Sequence, residues 1–102
     1  MGYKVQDSRY FVYIITNKTG SVLYTGMTHD LPQRIIAHKQ AFADGFTKKY
    51  RVNRLLYYEA AETKEGAPYR EKQIKDYSRQ KKLYLIDAMN PLWKDLSETM
   101  ME

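Results

Sequence analysis

A chain of 102 residues with a formal charge of +5 has room for one core and no more, and buries about two-thirds of its unfolded surface on folding. Its 17 basic against 12 acidic residues favour an acidic partner such as nucleic acid. With no cysteine and two histidines, a disulfide framework, a cysteine-based zinc site and a cysteine nucleophile are excluded. Residues 1–9 are polar and mixed in charge, an N-terminal extension rather than a signal peptide. Residues 10–15 are β-branched and aromatic, a strand far too short to span a bilayer. Residues 22–25 read as a second strand after the turn Asn17-Lys18-Thr19-Gly20. A four-residue loop would set Thr16 opposite Ser21 and Tyr13 opposite Tyr24, with Cβ atoms roughly 5 Å apart.

Asp30 reads as a helix N-cap, with Pro32 in the first turn and Gln33 at the capping-box position. The helix is expected to reach about Phe42, with Leu31, Ile35, His38 and Phe42 along its apolar stripe. Arg34 lies one turn before His38 and borders the same face. After Asp44-Gly45 comes a basic loop, Lys48, Lys49 and Arg51, interleaved with Tyr50. Residues 54–59 form a third strand. Thr63 is a candidate cap for a second helix to about Tyr77, its firm part starting at Tyr69 because Gly66 and Pro68 oppose helix. Ser78 caps a third helix over 79–89, ended by Asn90-Pro91, after which Trp93 and Leu96 fold back on the core. The order β-β-α-β-α-α predicts an α+β domain, a small antiparallel sheet covered by helices, over residues 10–96. Residues 91–102 carry −2 against +7 for the rest, and 97–102 are expected to be a frayed acidic tail.

Phe11-Val12-Tyr13, a ten-residue gap, Tyr24-Thr25-Gly26, then Arg34 and His38 on the next helix resemble the GIY-YIG nuclease superfamily. Glu71 in Tyr-Arg-Glu-Lys-Gln-Ile-Lys and Asn90 in Met-Asn-Pro-Leu-Trp-Lys-Asp-Leu extend the likeness to nearly the whole chain. It is greatest to the short stand-alone bacterial members, relatives of the excinuclease C catalytic domain. The resemblance implies a three-stranded antiparallel sheet flanked by helices. It also implies hydrolysis of DNA phosphodiester bonds with a single Mg²⁺ or Mn²⁺, in repair or recombination. By position, Tyr13, Tyr24, Arg34, His38, Glu71 and Asn90 match the family's catalytic set, Glu71 its metal ligand and Gly26 the glycine of the second motif. Phe11 departs from the first glycine of the name motif, Met27 stands where some of these nucleases carry lysine, and Pro68 precedes the glutamate helix.

The residue types suit that chemistry. Mg²⁺ takes one or two carboxylates plus waters and phosphate, so one glutamate suffices for a site completed by substrate. Arg34 offers a planar fork matching two phosphate oxygens. Tyr13 would orient or deprotonate water, although a phenol titrates near ~10 and His38, near ~6.5, is the easier base. Each also has a plain structural account. Glu71 pairs with Lys75 on a helix surface, Arg34 snorkels, the two tyrosines pair across strands, His38 is a core histidine and Asn90 a helix cap. Lys48, Lys49 and Arg51 are the leading phosphate contacts. The expectation is a cytoplasmic, monomeric DNA endonuclease, RNA being the less favoured substrate. A nucleic-acid-binding module with the same fold and little activity is the alternative. Of the ten tyrosines, Tyr10, Tyr57, Tyr58, Tyr69, Tyr77 and Tyr84 read as partly wet packing in a thin core.

Overall fold

In a computed structural model that describes residues 10–40 and 49–100, three strands form one antiparallel sheet. These are β1 (Phe11–Thr16), β2 (Leu23–Thr28) and β3 (Arg54–Ala60), in the order β2-β1-β3. Among the described residues they are accompanied by α1 (Leu31–Lys39), α2 (Ala67–Lys75), α3 (Arg79–Met89) and the short α4 (Ser97–Met100), and residues 49–50, expected as loop, are helical. The expected α+β architecture is the observed one.

Central strand β1 is buried on both faces, which is why it reads as a continuous apolar run. Val12 and Ile14 pack on one side with Leu56, Tyr57, Ile74 of α2 and Ile86 of α3. Tyr13 and Ile15 pack on the other with Leu31 and Ile35 of α1, Val52 and Leu55. The sheet is therefore a layer between α1 on one face and α2 with α3 on the other.

The hairpin register differs from the expected one by two residues. Thr16 pairs with Leu23, Ile15 with Tyr24 and Tyr13 with Gly26. Side chains in the loop replace a rung of the ladder. Asn17 Oδ1 accepts from the Val22 amide at 3.2 Å, and Thr16 Oγ1 donates to the Val22 carbonyl at 2.8 Å. Gly20 takes a left-handed φ of +78° at the tip, under the Trp93 ring. A slip of two preserves alternation, so Tyr13 and Tyr24 still share a face.

Asp30 and Ser78 cap as expected, accepting from Gln33 N and Lys81 N at 3.2 Å each. The described part of α1 ends at Lys39, and the expected extension to Phe42 lies outside the described residues. Helix α2 begins at Ala67, two residues earlier than its expected firm part. Pro68 is harmless there, because first-turn amides have no helical acceptor. Thr63 does not cap α2 but accepts from Gly66 N at 2.9 Å, closing the turn before it.

A bulge in β3 and its repair decide how the C-terminal segment sits. Ile14 pairs with Tyr57 and Ile15 with Leu55, leaving Leu56 without a rung. Asn90 Nδ2 donates to the Leu56 carbonyl at 3.2 Å. Beside it Leu55 N donates to Asp95 Oδ1 at 3.1 Å, and Leu96 N donates to Leu55 O at 2.8 Å. The C-terminal segment thus covers the free edge of β3, a surface that otherwise invites foreign strands. Ser97, the start of the expected frayed tail, is fully buried and donates its hydroxyl to Asp95 at 2.6 Å, so order continues into α4.

Candidate active site

Tyr13, Tyr24 and His38 meet on the α1 face of the sheet. Tyr13 is 1% exposed, and its hydroxyl lies 3.1 Å from His38 Nε2 in a buried hydrogen bond. The His38 ring stands edge-on to both tyrosines, 5.9 Å from Tyr13 and 6.2 Å from Tyr24. Strand alternation supplies the tyrosines and the i, i+3, i+4 stripe of α1 supplies the histidine.

Gly26 is what makes room for this arrangement. A Cβ built on it would overlap the Tyr13 hydroxyl and stand 2.5 Å from Tyr13 Cζ. The ring of Tyr13 therefore lies across the backbone of its cross-strand partner, and only a glycine permits that approach.

Arg34 is exposed on α1, one turn before His38. Among the described residues its guanidinium makes no hydrogen bond or ion pair, so its five donors are open to an incoming anion.

Glu71 occupies a position that the sequence did not predict. It lies between Ala67 and Ile74 on the sheet-facing stripe of α2, and both of those are fully buried. Its side chain keeps 22% of its surface and pairs with Lys75 Nζ at 3.3 Å. The i,i+4 pair is real, but the carboxylate is half sheltered rather than a surface charge. Helix α2 packs on the face opposite Tyr13 and His38 and lies against edge strand β2, which carries Tyr24 and Gly26.

Asn90 is fully occupied by structure. It is 4% exposed, caps α3, donates to the carbonyls of Leu56 and Lys94, and accepts from Lys94 N at 3.0 Å. Lys49 and Arg51 are exposed, Lys49 Nζ lying 5.4 Å from the Tyr50 ring centre, whereas Lys48 lies outside the described residues.

The scan against protein families matches the GIY-YIG catalytic domain over residues 9–84. The chain belongs to the GIY-YIG family. A UPF0213 protein of Staphylococcus saprophyticus is 45% identical over 78 residues, 76% of this chain and 94% of that one. A UPF0213 protein of Staphylococcus aureus is 46% identical over 77 residues, 76% of this chain and 93% of that one. The solution structure of the UPF0213 protein BH0048 from Bacillus halodurans superposes with a TM-score of 0.54 at 32% identity, covering 86% of this chain and 93% of that one. Membership in the GIY-YIG family gives the chain a nuclease-type function and a nucleic-acid substrate. Among the described residues no helix is long and apolar enough to cross a membrane.

One cluster in this GIY-YIG domain escaped the sequence. Arg70, the neighbour of Glu71, grips Glu59 of β3 with two donors, Nε at 2.6 Å and Nη2 at 3.0 Å. Tyr57 donates its hydroxyl to the same carboxylate. Burial alone would raise the Glu59 carboxyl, but Arg70 and Tyr57 together hold it below its ordinary value. Burial and the adjacent carboxylate push the Tyr57 phenol up to about 12. This clamp ties α2 to β3 one residue before Glu71. Its only sequence signal was the alternation that put Tyr57 and Glu59 on one face of β3.

Proposed function

We propose that this protein is a divalent-metal-dependent endonuclease hydrolysing phosphodiester bonds of DNA, a monomeric cytoplasmic enzyme of repair or recombination. The observation that carries the reading is the buried Tyr13–His38 hydrogen bond at 3.1 Å, with Arg34 open beside it.

Among the described residues no three His, Cys, Asp or Glu gather as a metal cluster. The residues fit a hard cation held by one carboxylate, with waters and substrate phosphate completing its shell. Glu71, half sheltered on α2 beside β2, is that carboxylate. When bound, Mg²⁺ or Mn²⁺ supplies Lewis-acid stabilisation of the phosphoryl and leaving oxygens.

The remaining work falls to side chains of the chain itself. Arg34 meets two phosphoryl oxygens as charge develops on them, a contribution often worth ~3 kcal/mol. Tyr13 orients the attacking water, and its hydrogen bond to His38 gives the proton a path to the imidazole. Tyr24 borders the same imidazole. Asn90 acts as a positioning residue, fixing β3 and the end of α3. Lys49 and Arg51, with Lys48, contact phosphates away from the scissile bond.

Plasmid nicking with Mn²⁺, with a chelator, and with Glu71→Ala tests the reading. Cleavage that needs metal and disappears in a normally folded Glu71→Ala is expected. Equal cleavage by Glu71→Ala refutes the assignment, and wild-type binding without cleavage identifies the protein as a binding module instead.

A further inference from the structure

Helix α3 presents a surface that this chemistry does not use. Tyr77, Gln80, Lys81, Tyr84 and Leu85 line an open cavity of about 330 Å³. Gln80, Lys81, Tyr84 and Leu85, at i, i+1, i+4 and i+5, share one face of α3, and Tyr77, just before the N-cap Ser78, closes one side. Tyr84 is 81% exposed, so it contributes almost nothing to the core of its own chain. Tyr77 is a fixed wall by contrast. Lys81 Nζ stands 5.2 Å from its ring centre, and its hydroxyl accepts from Arg70 Nη1 at 3.4 Å.

The rim of this cavity is positive. Lys81 lines it and Lys82 follows in the first turn of α3, which holds no acid, while Arg79 beside them donates to the Gly20 and Ser21 carbonyls at 2.8 and 3.3 Å. Burial together with the Arg79 and Lys75 cations pushes the Lys82 ammonium down, as expected where like charges face one another. Among the described residues no carboxylate pairs with Lys82. An aromatic, apolar floor inside a cationic rim matches a nucleotide, which has an apolar base face and an anionic phosphate.

We propose that this face of α3 binds an unpaired nucleotide of single-stranded nucleic acid, its base stacked on Tyr84 and its phosphate met by Lys81 and Lys82. The inference rests on the nucleic-acid substrate of the proposed function and narrows it. A duplex keeps its base faces inside the stack and offers phosphates and groove edges, so an aromatic cavity gains nothing from it. A second copy of the chain would bring one cationic rim against another, because a two-fold interface sets like patches face to face. The cavity is at the small end of the roughly 300–1,000 Å³ typical of small-ligand sites, suited to one nucleoside.

Binding is measured by fluorescence anisotropy in chelator, so that no strand is cut, with a labelled oligodeoxythymidylate and a blunt duplex of equal length. Tyr84→Ala weakens the single-strand complex about tenfold, in line with the loss of one base–aromatic stack, and changes duplex affinity less than about twofold. Tyr84→Phe retains the single-strand affinity, since stacking needs the ring and not the hydroxyl. An equal loss on both probes, or no loss on either, overturns the proposal. So does a concentration-dependent dimer in sedimentation that Tyr84→Ala abolishes. Because cleavage is not read, a protein that binds through Tyr84 yet never cuts refutes the nuclease mechanism alone. A protein that cuts in a Glu71-dependent way yet ignores Tyr84→Ala refutes only the stacking site.

Discussion

Gly26→Ala places the smallest possible side chain against the Tyr13 ring. The new methyl would overlap the hydroxyl oxygen and stand 2.5 Å from Cζ and 3.1 Å from Cε1, where ordinary contact begins at about 3.4 Å. The ring must retreat by roughly 1 Å, which stretches its 3.1 Å bond to His38 past hydrogen-bond length. Three terms decide the outcome. Overpacking costs about 1–3 kcal/mol. Loss of the buried hydrogen bond adds on the order of 1 kcal/mol. Against these, alanine restricts the unfolded chain and returns about 0.4–1 kcal/mol. The clash wins, with a net loss of about 1–3 kcal/mol. For a domain of this size that lowers Tm by roughly 5–20 °C. Thermal unfolding followed by circular dichroism reads the shift, and plasmid nicking reads the accompanying loss of activity. Tyr13→Leu removes the ring, and in that background Gly26→Ala should cost little or stabilise slightly. An unchanged Tm for Gly26→Ala, or the same penalty in both backgrounds, refutes the account of Gly26 as space for Tyr13.

Tyr13→Phe keeps the ring and removes the hydroxyl. It should lower stability by about 1 kcal/mol and nicking activity far more, as comparison of Tm with nicking rates will show. Asn90→Ala loses three hydrogen bonds and strands the Leu56 carbonyl, costing about 2–3 kcal/mol in urea unfolding. Asn90→Asp recovers little of this, because a carboxylate cannot donate to Leu56 or Lys94. The Glu59 and Asp95 carboxyls are both held below their ordinary values: burial opposes this, but Arg70 and Tyr57 outweigh it at Glu59, and Lys39, Ser97 and Leu55 N outweigh it at Asp95. Their stabilisation is present above the unfolded carboxylate value of about 4 and is lost as pH falls through their lower folded values. Glu59→Gln should blunt that acid limb in a pH series of thermal melts. The Tyr57 phenol has the opposite sign. Its stabilisation is full below about 10, the unfolded value, and is lost as pH rises to about 12, a limb that Tyr57→Phe removes.

Features set by neighbouring residues were legible in the sequence. Asp30 and Ser78 cap their helices because a side-chain oxygen needs only the amide three residues on. The three strands, the span of α3, the placing of Tyr13 and Tyr24 on one face and the adjacency of Arg34 and His38 all follow from periods of two and 3.6 residues. The ordered residues that resemble the GIY-YIG family were legible as a motif, and that resemblance, rather than any periodicity, carried the nuclease-type function.

Other features needed partners brought from a distance. The hairpin register was decided by side-chain bonds from Asn17 and Thr16, which compete with the ladder in a way that strand propensity does not record. Asn90 looked like an ordinary cap until the bulge at Leu56 gave its amide a carbonyl 34 residues away to satisfy. Tyr57, Tyr69 and Tyr84 are alike in sequence, yet Tyr57 is 9% exposed and bonded to Glu59, whereas Tyr69 and Tyr84 are about 80% exposed. Glu71 was legible as a residue but not as a place. Its half-sheltered position comes from Ala67 and Ile74 of the same face packing on the sheet, a contact that exists only once the chain has closed on itself.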